Sequence, residues 1–405
     1  MTWHVLDVGS IWLKEFASAL SEMVATENWC PQIRNFGSWE DWEETDPVLD
    51  PRLTLTRFPL QRCYARFPLS RFLHPEKAIV KRLLSHADSS GDTLICTSPF
   101  YAPIAELWPG KVIYYLTDLT KAYAGINPRR VVELDRRMCR VAGTVCPNSR
   151  RIADYLSTEA DCDSRKITVI PNATRERNIL SRPLTRPDEL PFSLAGLPRP
   201  IVGVIGNLAG NLDWVLLEQA VNWARDVSWA FIGPVDMRIP NRAHRRAREA
   251  LKQLRGRVRF TGPKPYGELY RYARALDVAM IPYLQQEPTR SGSATRFYEH
   301  LAACRPILAT RGHDELLTKE PLLKLVNTAP EIAQELGRLR ELDFCDGYEG
   351  LRWQVSRKET WQSRAGALLA ASGFEAQAKR SSDQPPSESP DRLAHMPSQI
   401  VDVPH

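Results

Sequence analysis

The sequence predicts an α/β protein with two domains, each built on a parallel β-sheet. Short runs of apolar residues alternate along the chain with stretches whose apolar residues recur at helical spacing, which is typical of parallel sheets covered by helices. A proline-rich segment near the middle separates two such series. The length of 405 residues is sufficient for two or three domains of ~150 residues, each with its own core.

The first series predicts strands and helices over residues 1–182. Its strands are apolar runs that end at turn-forming residues such as Ser98-Pro99 and Pro171-Asn172. The predicted strands cover residues 3–8, 93–96, 111–116, 143–146 and 167–170. The predicted helices cover residues 11–23, 129–140 and 149–157.

The second series follows a stiff connector. Residues 182–200 hold five prolines and little periodicity, so a linker is predicted at 183–198 and a second domain at 199–350. The predicted strands of that domain cover residues 201–206, 229–232, 258–260, 278–281 and 307–309. A helix over 351–373 follows, and the Ser- and Pro-rich tail 374–405 is predicted to be disordered because it has few large apolar residues.

Net charge and cysteine usage narrow the class of protein. The formal net charge of +6 suits an anionic ligand or a membrane surface but is small for a nucleic-acid binder, so no nucleic-acid partner is expected. The eight cysteines are scattered without a CxxC pair, as in proteins of a reducing compartment. Because the N-terminus lacks secretory features and no run of ~18 apolar residues is present, a cytoplasmic protein is predicted.

The segment 282–310 carries the strongest sign of a binding site. A predicted strand leads into a loop that contains Arg290, Gly292 and Ser293, and a helix begins near Ala294. Ligands bind beyond the carboxyl ends of the strands in open parallel sheets. A Gly- and Ser-containing turn at a helix N-terminus offers free amides and the positive end of the helix dipole, which suit a phosphate.

Arg296 and Glu299 are three residues apart on this helix and therefore share one face. A cation beside the phosphates and a carboxylate one turn further on would together hold a nucleotide diphosphate and its ribose hydroxyls. The alternative is that the two residues form a solvated ion pair on the surface. The spacing is compatible with both interpretations.

Residues 296–310, RFYEHLAACRPILAT, resemble the segment KxxEYLAxGxPVVxT of nucleotide-sugar glycosyltransferases of the GT-B fold. The resemblance covers roughly residues 90–310, is strongest from 200 to 310, and points to bacterial capsule, exopolysaccharide and teichuronic-acid-type transferases. Further segments that follow in the family's order are VIPNA at 169–173, GVIGNL at 203–208, FIGP at 231–234, VRFTGP at 258–263 and DVAMIPY at 277–283.

The resemblance implies two facing Rossmann-like domains, the first binding the acceptor and the second the donor, with the C-terminal helix packed back. By position, Arg296 corresponds to the family's phosphate-binding lysine and Glu299 to its ribose-binding acid. Arginine can replace lysine as a phosphate cation, with a planar fork instead of a point charge. The positions Ser291 and Cys304 depart from the family, where glutamate is frequent at the first and glycine is preferred at the second.

The same resemblance implies roles for further residues. The loop Gly206-Asn207 would add a second contact to the donor phosphates, beside Arg296, Arg290 and the amides near Gly292-Ser293-Ala294. Tyr266 lies either near the nucleobase or against its own turn.

Asp118 is the predicted general base. It follows the strand 111–116 and so lies at the mouth of the predicted cleft, where a carboxylate can remove the proton of an acceptor hydroxyl. Related inverting transferases carry an aspartate after a comparable strand, and Glu133 matches an acid in the same segment, so an inverting mechanism is preferred. The alternative is that Asp118 caps the following helix.

These resemblances predict a hexosyltransferase that moves a sugar from a nucleotide diphosphate donor to a saccharide or lipid-linked saccharide acceptor in cell-surface polysaccharide biosynthesis. No cofactor and no metal are expected, since cationic side chains and a helix end can stabilise the leaving diphosphate. The sequence Asp161-Cys162-Asp163 is interpreted as solvated. Two alternatives are a nucleotide-sugar epimerase of the same architecture and a non-catalytic relative that binds a sugar nucleotide.

Residues 52–82 interleave arginines with aromatic residues. Such a mixture suits a peripheral contact with the anionic inner face of a membrane, where a lipid-linked acceptor would lie. The alternative is a loop between helices whose aromatic residues pack inward.

Overall fold

Two separate β-sheets organise the chain, one in each half. The structure is a computed structural model that describes residues 1–35, 38–41, 53–61, 75–85, 91–236 and 239–374. The strands of the first sheet lie before residue 146 and those of the second lie after residue 200. We call the part that carries the first sheet the first lobe and the part that carries the second sheet the second lobe.

The first sheet has seven strands in the order β3-β2-β1-β5-β6-β7, with β4 also paired to β2. All of its pairings are parallel except that of β2 with β3. The strands are β1 (Trp3–Leu6), β2 (Thr26–Asn35), β3 (Ser38–Asp41), β4 (Leu55–Gln61), β5 (Thr93–Cys96), β6 (Lys111–Tyr114) and β7 (Thr144–Val145). The helices are α1 (Ile11–Ser21), α2 (Pro75–Leu84), α3 (Ala102–Ala105), α4 (Pro128–Val141) and α5 (Arg150–Thr158).

Apolar residues on both faces of the first sheet explain its parallel pairing. Alternate strand residues such as Leu94 and Ile95 pack into two different clusters, one against α2–α5 and the other against α1. The predicted strand 167–170 is not a strand, since Ile167 makes only an isolated bridge with Val145. Pro147, two residues after the end of β7, has no N–H group with which to extend the pairing between β7 and this segment.

The second sheet has six parallel strands in the order β10-β9-β8-β11-β12-β13. Because the chain order reverses between β8 and β11, the carboxyl ends of these two strands form the crevice where such sheets bind ligands. The strands are β8 (Ile201–Ile205), β9 (Ser228–Ile232), β10 (Val258–Phe260), β11 (Val278–Ile281), β12 (Ile307–Ala309) and β13 (Lys324–Leu325). The helices are α6 (Trp214–Trp223), α7 (Arg242–Gln253), α8 (Leu269–Ala275), α9 (Thr295–Ala303) and α10 (Ala329–Glu341).

The C-terminal segment crosses from the second lobe to the first. It contains two helices, α11 (Glu349–Ser356) and α12 (Trp361–Ala371), and not the single predicted helix over 351–373. Thr360 separates them because its side chain caps α12 by accepting a hydrogen bond from the Ser363 amide. Helix α11 packs on α9, whereas α12 packs on α1 of the first lobe, so the segment does pack back as the resemblance implied.

Two predictions fall partly or almost entirely on residues outside the described part of the chain. The tail from residue 375 onward is outside it, as are residues 52 and 62–74 of the segment proposed for membrane contact. Within the described residues, no helix is both long and apolar enough to cross a membrane.

Candidate functional site

A cleft of about 700 Å³ is lined by residues of both lobes. On the second lobe it lies at the carboxyl ends of β8 and β11, the crevice expected from the strand order. The first lobe contributes residues that follow its strands β1, β6 and β7. These first-lobe residues are Ile11, Trp12, Thr117, Asp118, Tyr123, Asn148 and Asn172.

Arg296 lies in the first turn of α9 and lines the cleft. Its Nη1 donates to Glu299 Oε2 at 2.6 Å, and the two side chains are only 21% and 13% exposed. The pair is therefore largely buried and is not the solvated surface pair of the alternative interpretation. Burial disfavours the charge of Arg296, but the adjacent Glu299 outweighs this and holds the pKa of Arg296 above its ordinary value.

Glu299 lies behind Arg296 and is not among the residues that line the cleft. Its second carboxylate oxygen, Oε1, is buried and has no hydrogen-bond partner within the described residues. An unpaired buried oxygen of a charged group is unfavourable, so a ligand hydroxyl that reached it would supply the missing donor. This arrangement is compatible with the ribose role.

The loop after β8 supports the guanidinium of Arg296. Gly206 lines the cleft with Asn207 and has a φ of +127°, and a Cβ placed on it would lie 2.4 Å from Arg296 Nε. Only glycine combines that backbone conformation with so close an approach. Tyr266 also lines the cleft, and the Arg175 guanidinium lies 4.2 Å from its ring centroid, so one face of the ring is covered.

We expect Gly206→Ala to weaken nucleotide binding strongly. The added methyl group would displace the Arg296 guanidinium and strain the loop backbone, so we expect a rise of about 10-fold or more in the dissociation constant. Isothermal titration calorimetry with a nucleoside diphosphate would measure it. Gly347→Ala is the matched control, because Gly347 also has a positive φ, +83°, has no atom within 4 Å of an added Cβ and is not among the residues that line the cleft. If Gly206→Ala bound the nucleoside diphosphate as tightly as the wild type, the proposed support of Arg296 by the loop at Gly206 would be contradicted.

The N-terminus of α9 differs from the prediction. The Ala294 amide, predicted to bind phosphate, donates to Glu315 Oε2 at 2.7 Å, and Ser293 Oγ donates to the same oxygen at 2.9 Å. A carboxylate of the protein thus occupies the positive end of this helix. Gly292 and Ser293 still line the cleft, but the prediction that the Ala294 amide is free for a phosphate is wrong.

Arg290 is also placed differently from the prediction. Its Nε donates to Asp314 Oδ1 at 3.0 Å and its Nη2 to Asp314 Oδ2 at 3.2 Å. It is not among the residues that line the cleft. Because this bidentate pair uses the planar fork of the guanidinium, Arg290 supports the loop rather than facing the cleft.

Asp118 faces the cleft from the first lobe. Burial raises the pKa of Asp118 to about 6, against the opposing hydrogen bonds from Tyr123 and Thr117. The Tyr123 hydroxyl donates to Oδ1 at 3.0 Å. The helix-cap alternative is wrong, because α4 is capped by Asn127, whose side chain accepts from the Arg129 and Arg130 amides.

Glu133 does not reach the cleft. It lies on α4 with 57% of its side chain exposed, 3.9 Å from Arg140. Of the two acids that the resemblance singled out in this segment, only Asp118 lines the cleft.

Hydrogen bonds and ion pairs join the two lobes beside the cleft. Ser149 Oγ donates to the Ser291 carbonyl at 2.5 Å. Arg151 of the first lobe pairs with Glu287 at 2.6 Å and with Asp314 at 3.1 Å. Because these partners flank the loop before α9, the loop that carries Gly292 and Ser293 is held against the first lobe.

Some residues that line the cleft belong to no sequence motif used in the predictions. Asn148 and His313 are the main ones, and Glu315 lies directly behind the loop. Within the described residues, no group of three or more His, Cys, Asp or Glu side chains is arranged to hold a metal ion. Asp163 of the DxD sequence pairs with Arg165.

No protein-family model matches this chain, but two curated sequences are similar to it. It is 23% identical over 248 residues to TuaH of Bacillus subtilis, which is named a putative teichuronic acid biosynthesis glycosyltransferase, covering 56% of this chain and 58% of that protein. It is 30% identical over 182 residues to the 2-deoxystreptamine glucosyltransferase of Streptomyces kanamyceticus, covering 44% and 45%. The chain thus matches about half the length of these relatives.

Solved structures show the same fold over nearly the whole chain. Anabaena HepE in complex with UDP and glucose has a TM-score of 0.67 at 14% identity, covering 91% of this chain and 98% of that one. The sucrose-phosphate synthase of Thermosynechococcus elongatus has a TM-score of 0.62 at 16% identity, covering 91% and 98%. These likenesses confirm the predicted GT-B fold, with two facing α/β lobes.

Proposed function

We propose that this chain, which has the GT-B fold and resembles teichuronic-acid-type transferases, is a glycosyltransferase of cell-surface polysaccharide biosynthesis. It would move a hexose from a nucleotide diphosphate donor to a saccharide or lipid-linked saccharide acceptor. The observation that carries the proposal is the cleft, where the cation Arg296 lies on one lobe and the carboxylate Asp118 on the other. The glycosyltransferases among its sequence relatives and the UDP complex of a structural neighbour support it.

On the donor side, Arg296 binds the diphosphate and stabilises the charge that develops as it leaves. Its pair with Glu299 keeps the guanidinium charged and fixes its direction. A positioned cation in a site partly shielded from water stabilises such charge more than the same cation in bulk water. Tyr266, on the loop after β10, offers its uncovered ring face to the nucleoside.

On the acceptor side, Asp118 is the general base. It accepts the proton of an acceptor hydroxyl, whose oxygen forms a bond to the anomeric carbon while the bond from that carbon to the phosphate oxygen breaks. The nucleoside diphosphate leaves with the electron pair. An inverting mechanism is part of this proposal, because a base that deprotonates the acceptor hydroxyl supports a single direct displacement on the face opposite to the leaving group. Placement on the cytoplasmic face of a membrane is part of this proposal for a lipid-linked acceptor.

A thermal-shift screen of nucleoside diphosphates and their sugars tests the proposal first. A ligand at 100 times its dissociation constant stabilises the native protein by about 2.7 kcal/mol, which raises the melting temperature measurably. We expect at least one nucleoside diphosphate sugar to do so. No stabilisation by any of them would contradict the proposal.

Incubation of the selected donor with lipid-linked saccharide then separates the enzyme classes. We expect release of the nucleoside diphosphate that depends on the acceptor. Conversion of the donor to an epimer without acceptor would favour the epimerase alternative, and binding without any reaction would favour the non-catalytic one.

A further inference from the structure

The positive charge of the protein is concentrated in one segment. The chain has 54 arginine and lysine residues and 48 acidic residues, a net charge of +6. Residues 242–259, which contain α7 and the first two residues of β10, hold eight of these cations and one acid, Glu249. The remaining residues therefore carry 46 cations and 47 acids, so the whole positive excess lies in this segment. Such a local excess indicates an anionic partner.

Helix α7 directs much of this charge to solvent. The helix is buried through Ala247 and Leu251, which belong to the core of the second lobe. Arg242, Arg245 and Arg246 are exposed. Because Arg242 and Arg246 are four residues apart, they lie in one row along the outer face of the helix.

Few of these charges are neutralised within the protein. Glu249 is shared between Arg248, at 2.9 Å, and Lys252, at 3.0 Å. The arginines of this region that form no ion pair with another described residue are Arg225, Arg242, Arg246 and Arg255. The surface thus keeps an excess of positive charge that an external anion can neutralise.

Trp223 lies in a turn that is bonded to one of these cations. It ends α6 and is 63% exposed. In the same turn the Val221 carbonyl accepts a hydrogen bond from Arg257 Nη1 at 2.5 Å. Burial and the nearby charge of Arg225 both lower the pKa of Arg257, so two guanidinium groups of like charge are held close together beside this turn.

Phe192 lies in the linker, beside the same edge of the sheet. It is 95% exposed, and Phe192 and Trp223 are the two most exposed large apolar residues in the described part of the chain. The carbonyl of the next residue, Ser193, accepts a hydrogen bond from Arg259 Nη1 at 3.2 Å. Because Arg259 lies on β10, the last strand in the sheet order, both aromatic residues flank arginines of this edge.

We call this surface the basic edge. It consists of the outer face of α7 together with Arg255, Arg257, Arg259, Trp223 and Phe192. None of its residues is among those that line the cleft. Arg257 precedes β10, at the amino ends of the strands, whereas the cleft lies at their carboxyl ends. The basic edge can therefore bind a partner while the cleft holds its ligands.

The chemistry of the basic edge fits an anionic lipid surface. Guanidinium groups pair with lipid phosphates, and each cation near such a surface strengthens the attraction. Exposed aromatic side chains insert among the lipid headgroups. A polynucleotide would also attract the cations, but the proposed function favours the membrane, because a lipid-linked acceptor would lie there.

We propose that the basic edge binds the anionic surface of a membrane, with the arginines of α7 on the headgroups and with Trp223 and Phe192 inserted between them. This inference deepens the proposed function on which it rests, since it assigns the contact that would hold the enzyme at a lipid-linked acceptor. It places that contact on the second lobe, whereas residues 52–82 belong to the first.

Flotation of the full-length protein with lipid vesicles tests the inference. We expect binding to vesicles of equimolar phosphatidylcholine and phosphatidylglycerol to be about 10-fold or more tighter than binding to phosphatidylcholine alone, and to weaken as salt is raised. Equal binding to both kinds of vesicle, or no binding to either, would overturn the inference. The thermal-shift screen measures donor binding without lipid, so that outcome would leave the proposed function intact.

Two double variants locate the contact. Arg242→Gln/Arg246→Gln removes two exposed charges, and Trp223→Ser/Phe192→Ser removes the two aromatic side chains. We expect each double variant to weaken binding to the anionic vesicles about 10-fold or more. Binding of the nucleoside diphosphate should be unchanged in both, since none of these residues lines the cleft.

Matched controls change exposed residues elsewhere. Arg129→Gln/Arg130→Gln removes two exposed charges from α4, and Tyr348→Ser removes an exposed aromatic side chain that precedes α11. Both should bind the anionic vesicles as the wild type does. Wild-type vesicle binding by both basic-edge variants would place the contact elsewhere and overturn the inference. Binding to polyuridylate as tight as binding to the anionic vesicles would assign the surface to a polynucleotide instead.

Discussion

Replacement of Arg296 by alanine is expected to abolish measurable binding of the nucleotide diphosphate donor. Arg296 is the cation beside Gly206 at the centre of the cleft, and hydrogen bonds to charged groups contribute about 1.5–3 kcal/mol each. Loss of one such bond raises the dissociation constant by about 10- to 150-fold, and a guanidinium can form two. Calorimetry with the nucleoside diphosphate alone measures the effect without knowledge of the acceptor.

Two further variants separate binding from folding. Arg296→Ala leaves the Glu299 carboxylate buried without its cation, which is expected to lower stability. Arg296→Gln keeps a donor for Glu299 but removes the charge, so it should fold and still lose donor affinity. Arg296→Lys should retain part of the affinity, since it preserves the charge but not the planar fork. Wild-type affinity in Arg296→Gln would contradict the assignment of the phosphate site.

Asp118→Asn is expected to retain donor binding and lose turnover. Asparagine has the same shape and can still accept the Tyr123 hydrogen bond, but it cannot take the proton of the acceptor hydroxyl. General-base catalysis contributes about 10²–10⁴-fold to such reactions, and kcat should fall by that factor. Glu133→Gln is the matched control, because that acid lies on the same lobe outside the cleft, and it should keep wild-type turnover.

The pH dependence gives a second readout for Asp118. The base is active when it is ionised, and its pKa is about 6 because of burial. In the free enzyme kcat/KM should therefore rise with pH up to about 6 and level off above it. Asp118→Asn should lack this acid limb. An unchanged limb in that variant, or undiminished turnover, would remove Asp118 as the base.

The elements that were predicted well are those with a local signal. The strands Thr93–Cys96, Val258–Phe260, Val278–Ile281 and Ile307–Ala309 are observed at their predicted positions, because each is a short apolar run bounded by turn residues. Strands β2–β4 were not predicted, since residues 26–61 mix charged, proline and aromatic residues without a clear period. The pairing of β2 with both β1 and β4 is a tertiary arrangement that no local pattern encodes.

For the candidate site, too, residues with local contacts could be predicted from the sequence, whereas residues with partners distant in the sequence could not. Arg296 and Glu299 were accessible to sequence reasoning because their contact is local to one helix. Arg290 and the Ala294 amide were misplaced because their partners, Asp314 and Glu315, come from the loop after β12 and are more than 20 residues away. Asn148 could have been found, since it follows β7 just as Asp118 follows the neighbouring β6, and the ends of adjacent parallel strands meet at one edge.

At Cys304 the sequence differs from the family, which prefers glycine at this position, but the difference does not alter the candidate site. Cys304 ends α9 with a φ of +62°, the left-handed conformation for which glycine is favoured at this helix position. The departure therefore concerns the backbone at the far end of α9, away from Arg296 in its first turn. Ser291, the other departure, is buried, and its hydroxyl donates to Glu287 at 2.5 Å.

A crystal structure of the protein with the nucleoside diphosphate that stabilises it most would test the central claim most directly. The claim predicts phosphate oxygens within about 3 Å of the Arg296 guanidinium nitrogens, in the cleft beside Gly206, with the nucleoside toward Tyr266. A nucleotide bound outside the cleft, or one whose phosphates point away from Arg296, would contradict it.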